Sequence, residues 1–386
     1  MTAPTPPEEA RSEQARSEQA RPDETGPAEP AGPPPPAPEQ PRRIGLWGAP
    51  TCGKTTFLAA LRIAAEEGGH DVRLVGCNRA STEFLADTTR QLKIERRFVP
   101  ATRELPPNLA WQLHGTHIRK VRQNVGKLRF KRRRPVPYTV MLDMMDAPGG
   151  MFSSRPEDRA APEPSSGLRF SSSSGTGDGG SGGGGGDAEE RLVRHLAGCD
   201  GLLFLFDPTR EREMNDAYAF FQRTVLQISE LAGTSGVDHK LPHHLAVCIT
   251  KFDHPEVYER AVRLGYVTPP ASIFGMPRVD ETRALEFFQD LYRGTHAHDP
   301  VNSLLRGIRS HFGEARTRYF VTSAIGFYRD PLENRFQPED YLNIAERSDG
   351  GDGLSGEDRF RIRGDVAPIN VLEPVMWLAG NVGEPR

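Results

Sequence analysis

The run Gly48-Ala49-Pro50-Thr51-Cys52-Gly53-Lys54-Thr55 constrains this chain more than any other feature. It fits the pattern G-x-x-x-x-G-K-[ST]. Its glycines let backbone N–H groups curl around an anion without Cβ clashes, Lys54 adds a positive charge, and the Thr55 hydroxyl can ligate a divalent cation. Arg43 to Trp47 reads as a short buried strand. Thr55 to Glu67 reads as a helix that stops at Gly68-Gly69. Strand, glycine loop and helix N-terminus together are what a phosphate site requires. Gly48 to Thr56 are therefore the expected phosphate-binding residues, with Lys54 on the β- and γ-phosphates of a nucleoside triphosphate and Thr55 on Mg²⁺.

Composition narrows the setting. A net charge of −3 over 386 residues gives no global attraction to nucleic acid or an anionic membrane. Cys52, Cys77, Cys199 and Cys248 lack metal-ligand or paired spacing, which suits a reducing cytoplasm. The N-terminus has no signal-peptide core, and no apolar run reaches membrane-spanning length, so a soluble cytoplasmic protein without a transmembrane segment is expected.

Residues 1–41 hold twelve prolines and few large apolar side chains, the composition of a disordered, partly polyproline tail. Residues 42–386 read as one α/β domain with three excursions. A Gly/Ser-rich insertion at about 153–187 is flexible by composition, and a stretch at about 329–366 rich in Asp, Gly and Arg reads as a surface excursion. Strands are expected at 44–48, 109–117, 138–145, 201–206, 245–250 and 318–322. Helices are expected at 54–67, 81–96, 188–197, 211–232, 280–293, 301–312 and 369–379. The alternation predicts a mainly parallel six-stranded sheet with helices on both faces, in which 109–117 could form an antiparallel edge.

Three further motifs follow the glycine loop, each after a strand. Asp146-Ala147-Pro148-Gly149 offers a carboxylate for a Mg²⁺-bound water and a glycine N–H close to a γ-phosphate. Thr250-Lys251-Phe252-Asp253 offers a carboxylate that can accept the N1–H and exocyclic amine of guanine, with the Lys251 stem along the base. Thr322-Ser323-Ala324 offers a backbone N–H, from Ser323 or Ala324, to the guanine O6. Asp207, before Pro208, reads as a turn residue that starts a helix rather than a ligand.

In this order the motifs resemble the Ras-like G domain of the TRAFAC class of P-loop GTPases, over roughly residues 42 to 382. The resemblance implies a P-loop NTPase fold, a GTP- and GDP-binding site with Mg²⁺, slow hydrolysis, and two loops ordered by the γ-phosphate. On it, Lys54, Thr102 and Gly149 are the expected catalytic residues, and Thr55, Thr102 and Asp146 surround the metal. Thr102 is the first choice for the switch threonine and Thr116 the second. The additional helix at 81–96 is similar to that of divergent bacterial GTPases in regulatory or conflict systems. Gly150 stands where many relatives carry a water-orienting glutamine, so hydrolysis is expected to be slow.

Two readings of function follow: a slowly hydrolysing GTP switch, or a GTP-gated scaffold with negligible turnover. An ATP-using kinase conflicts with Thr250-Lys251-Phe252-Asp253. Either leading reading implies an unidentified protein effector or activator. Between Arg119 and Arg134 nine residues are basic and none acidic, a surface for an acidic partner or a membrane. The insertion at 153–187 interrupts the loop after Asp146, as a tolerated insertion or as a cover over the nucleotide. His243-His244 and His296-Ala297-His298 read as ordinary surface histidines, and Cys52 as a small filler of the loop.

Overall fold

The computed structural model describes residues 41–68, 71–100, 109–125, 128–144, 184–233, 240–270, 275–293, 300–347 and 359–381. The expected tail at 1–40 and the insertion at about 153–187, up to residue 183, lie outside them. The strands are β1 (Arg42–Gly48), β2 (Val72–Gly76), β3 (Ala110–Val125), β4 (Leu128–Met144), β5 (Gly201–Phe206), β6 (His244–Ile249), β7 (Val267–Thr268), β8 (Arg278–Val279), β9 (Thr317–Val321), β10 (Ile344–Glu346) and β11 (Phe360–Ile362). The helices are α1 (Lys54–Glu67), α2 (Arg79–Lys93), α3 (Gly184–Ala197), α4 (Pro208–Met214), α5 (Ala217–Leu231), α6 (Pro255–Arg263), α7 (Ala284–Asp290), α8 (Pro300–His311) and α9 (Leu372–Asn381).

Seven strands form the central sheet in the order β2-β3-β4-β1-β5-β6-β9. Neighbours pair in parallel from β4 to β9, and β3 runs antiparallel to both β2 and β4. The six expected strands are present. The seventh, β2, is a five-residue edge strand, Val-Arg-Leu-Val-Gly, whose short alternation is easily missed.

The strand period sorts the core into two layers. Trp47, Leu202, Phe204, Phe206, Val247, Ile249 and Val321 pack with α3, α5, α6, α7 and α8. Ile44, Leu46, Leu203, Leu205, Cys248 and Phe320 pack on the other face with α1, α2 and α9. β5, Gly-Leu-Leu-Phe-Leu-Phe, is buried at every position because helices cover it on both sides. On the first face Trp47, Phe204 and Phe221 form an aromatic knot, with centroids 4.7 Å and 5.6 Å from Trp47 to the two phenylalanines.

Some boundaries differ from the sequence reading. The helix expected at 211–232 is two helices, because Asn215 takes a left-handed φ of 49° and Asp216 starts α5. The α6 helix went unforeseen, although Pro255 at its first turn and the His254 side chain before it are start signals. Segment 329–347 runs along the surface, exposed at 331–335, while its Phe336 and Tyr341 join Phe327 around Tyr258 of α6, with Tyr258 and Tyr341 centroids 4.6 Å apart. The β10–β11 hairpin belongs to this same stretch.

Candidate functional site

Register decides where the motif loops emerge. Gly48, Leu205, Cys248 and Phe320 form one row across β1, β5, β6 and β9. The segments 49–54, 207–210, 250–254 and 322–326 therefore leave the same edge of the sheet. Ligands of open α/β sheets bind in the crevice beyond the carboxyl ends of the strands.

In the glycine loop, Thr51 and Gly53 have left-handed φ values of 60° and 92°. A Cβ on Gly53 would touch nothing within 4 Å, so this glycine serves conformation. Gly48 serves packing: a Cβ there would lie 2.7 Å from both Cys52 Sγ and the Leu205 carbonyl oxygen. Cys52 is buried beneath the loop, as a filler should be, while Ala49 is buried and Pro50 half-buried.

Lys54, the first residue of α1, is buried, and its Nζ donates to the Gly48 and Ala49 carbonyl oxygens at 3.2 Å each. Gly53 caps α1 without any side-chain hydrogen bond, and the Phe57 N–H bonds its carbonyl at 2.8 Å. The amides of Lys54, Thr55 and Thr56 thus form a helix start with no capping side chain, the end of a helix that attracts anions. Thr55 and Thr56 stand half-buried on that turn.

At the far side of the crevice, β6 leads into Thr250, whose N–H donates to the Phe206 carbonyl at 2.8 Å. Lys251 takes a left-handed φ of 56°, and its Nζ reaches Asp207 Oδ2 at 2.8 Å and Thr209 Oγ1 at 3.1 Å. Phe252 is buried and donates its N–H to Thr322. Asp253 is buried and accepts a hydrogen bond from the buried Ser323 hydroxyl, which also accepts from the Gly326 N–H at 2.8 Å. Burial pushes the Asp253 carboxyl above its usual range; the Ser323 bond opposes this, as do His254 and Lys251. Gly326, at φ 68°, cannot carry a side chain, since a Cβ would meet the Ala367 carbonyl oxygen at 2.0 Å.

The Ser323 N–H is committed to the Ile369 carbonyl at 3.0 Å, and the Ile369 N–H bonds back at 2.8 Å. Ser323 contributes through its hydroxyl, a role the sequence reading did not give it. Asp207 does cap α4, accepting from Thr209 N–H at 3.0 Å and Arg210 N–H at 3.2 Å. It also pairs with Lys251, and that role was missed. The available signal was a carboxylate and a lysine at the ends of successive strands.

Behind this loop lies a second buried carboxylate. Glu211 Oε2 accepts the Ala217 N–H at 2.8 Å, and burial outweighs that bond, pushing the acid up to about 7. Arg210 holds Asp216 with both guanidinium nitrogens, so α4 and α5 are clasped across the Asn215 turn.

Thr102, Asp146, Gly149 and Gly150 lie outside the described residues. Thr116 is exposed in β3 opposite Pro137. His243 is buried rather than on the surface, its pKa lowered by that burial, and the His244 ring packs edge-on against Trp377. His296 and His298 lie outside the described residues. Among the described residues no group of three His, Cys, Asp or Glu could hold a metal ion, and no helix is long and apolar enough to cross a membrane.

A strand, a left-handed glycine loop and a helix start at the carboxyl edge of a mainly parallel sheet covered on both faces: this α/β architecture is a P-loop NTPase fold. No protein-family model and no curated protein sequence matches the chain. Solved structures similar to it include sup35 complexed with GDP and sup35 complexed with GMPPNP. Identity is 10% and 11%, TM-scores are 0.24 and 0.26, and 74% and 76% of this chain is covered. The chain spans 37% and 41% of the length of those structures.

Proposed function

We propose that the chain is a GTP-binding switch that hydrolyses GTP slowly with Mg²⁺. The observation that carries this reading is Asp253: a buried carboxylate held by Ser323 on the sheet edge where the glycine loop also emerges. A carboxylate there can accept both guanine donors, a pair adenine lacks. The base O6 contact falls to the Ala324 N–H, because that of Ser323 is spent on Ile369.

On this reading Lys54 leaves the Gly48 and Ala49 carbonyls for the β- and γ-phosphates, and the loop amides stabilise charge spreading over the transferred group. Thr55 and Thr102 would supply hydroxyls, hard oxygen donors that suit Mg²⁺, and the Asp146 carboxylate would hold a water bound to the ion. When bound, the ion neutralises charge between the β- and γ-phosphates. In the sequence Asp146 follows β4 by two residues, and β4 pairs directly with β1, the strand that leads into the glycine loop. Gly149 would sense the γ-phosphate through its N–H.

The broader reading takes residues 42–386 as one G domain, and the additional helix α2 is what suggests the divergent bacterial regulatory type, acting in the cytoplasm on a protein effector. Gly150 favours one alternative, a GTP-gated scaffold with negligible hydrolysis. Single-turnover assays with Mg²⁺ separate the two, cleavage within minutes meaning an enzyme and none over hours a scaffold. Asp253→Asn tests the base assignment. GTP affinity should fall by two or more orders of magnitude, from loss of charged hydrogen bonds worth about 1.5–3 kcal/mol each, while xanthosine triphosphate gains. Equal losses for ATP and GTP would sink it.

A further inference from the structure

The stretch 329–338 presents an apolar side chain on a tightly bonded turn. Arg329 and Phe336 form an antiparallel bridge at its foot. The Asp330 N–H donates to the Arg335 carbonyl at 3.2 Å, and the Asn334 N–H donates to the Asp330 carbonyl at 2.7 Å. Asp330 Oδ1 accepts the N–H groups of Leu332 and Glu333 at 2.8 Å and 3.0 Å. Glu333 pairs with Arg335 and accepts from Gln337 Nε2 at 3.3 Å. Leu332 stands on this turn with 94% of its surface exposed. Single exposed leucines are ordinary on protein surfaces. This one differs in being fixed by its turn and in what lies next to it.

Beside the turn lies an apolar groove of about 580 Å³, whose lining includes Tyr258, Val262, Val267, Pro277, Arg335 and Phe336. Tyr258 and Pro277 are buried, Val267 and Phe336 half-buried, and Val262 exposed on α6. Arg335 belongs to both turn and groove, so at most about 11 Å of chain separates Leu332 from the lining. Charge is divided between the two features. Asp330 and Glu333 bracket Leu332. At the groove stand Arg335, the exposed Arg263 beside Val262 and the exposed Arg278 beside Pro277, with Glu339, beside Pro338, opposing them.

We propose that this surface is a self-association site, in which Leu332 of one copy of the chain enters the groove of a second copy. A knob and a groove that are neighbours on one surface complement themselves under a two-fold axis, each copy giving its Leu332 and receiving the other's. A foreign partner would satisfy both only by carrying a matching knob and a matching groove of its own. The same rotation lays the acids flanking Leu332 against the arginines at the other copy's groove, and such complementarity fixes orientation. The turn is already ordered, so docking costs little loop freedom. The patch is smaller than the roughly 20–30 residues a side of stable interfaces, so the dimer is weak and transient.

Sedimentation equilibrium of the full chain, from about 10 µM to about 500 µM, should show a monomer–dimer equilibrium that weakens with added salt. Leu332→Asp should weaken it at least about 100-fold, since each dimer loses two buried leucines and gains two charges in apolar grooves. Its melting temperature should match the parent's, because Leu332 lies outside the core. Val262→Asp, on the exposed side of α6, should act alike from the groove. Direct contact is tested by cross-linking in a Cys77→Ser background, which removes the exposed native thiol. Leu332→Cys mixed with Val262→Cys and a mild oxidant should give a mixed disulfide dimer, and Leu332→Cys alone far less. A chain that stays monomeric at every concentration overturns the proposal. So does self-association indifferent to Leu332→Asp, or a mixture of the two cysteine variants that forms no mixed disulfide.

Discussion

The two halves of the central sheet hold together for opposite reasons. From β1 to β9 the strands are short, parallel and buried on both faces, and their register brings three motif loops out on one edge. From β2 to β4 the pairing is antiparallel, and the hairpin outruns its neighbours with like charges facing each other. The first half is held by burial and can position a ligand. The second carries a repulsive cost within its own ribbon, which its backbone pairing has to outweigh.

The largest test of that contrast is in the buried half. Phe221 is fully buried and touches Trp47, Phe204 and Phe312 at centroid distances of 5.6, 5.4 and 6.3 Å. Phe221→Ala should cost about 3–5 kcal/mol, through lost burial and the cavity left behind. Urea denaturation measures it. A loss below about 1 kcal/mol would mean that the aromatic knot is loosely packed and that burial is not what fixes this half.

The same contrast explains what the sequence made legible. Uniformly apolar runs such as Leu202 to Phe206 have one solution, a strand covered on both faces, and the turn after each run carried its motif. The place of Asp253, just past the end of β6, could be read from the spacing. Its support could not, because Ser323 lies seventy residues away and meets it only through the β6–β9 register. The Asp207–Lys251 pair was hidden likewise, since a capping aspartate satisfies its local role and gives no hint of a second one. Asn215 and Asp216 were legible as helix breakers, yet the surrounding helix formers outweighed them. β2 has too few residues to establish a period.

An intermediate effect should appear at the clasp behind the base loop. Glu211 has its pKa raised from 4.5 to about 7, chiefly by burial and against the bond from Ala217. The acid is neutral in both states below about 4.5 and is pulled toward ionisation as pH rises, more easily unfolded than folded. Its stabilising contribution is therefore complete below pH 4.5 and is lost as pH rises through about 7, by at most on the order of 3 kcal/mol. Glu211→Gln removes this dependence. Melting temperature followed from pH 4.5 to 8 should fall more steeply for the parent than for the variant. Parallel curves would show that Glu211 stays ionised and that water reaches it.

The smallest effect lies in the β3–β4 hairpin, and it has the opposite sign to the usual result of mutation. Lys120 faces Arg133 in register, so Lys120→Glu replaces a repulsive cross-strand pair with an attractive one. Cross-strand pairs contribute about 0.2–1 kcal/mol, so the variant should be slightly more stable than the parent, and the gain should shrink with added salt. Lys120→Gln should fall between the two, because it removes repulsion without adding attraction. Hydrogen exchange at the amides of 118–122 and 131–134 measures the effect locally, where global unfolding would dilute it. Slower exchange in Lys120→Glu would show that the facing cations weaken the ribbon. Faster exchange in Lys120→Glu would mean that the facing cations are held by something other than the ribbon, and the contrast between the two halves would fail at this point.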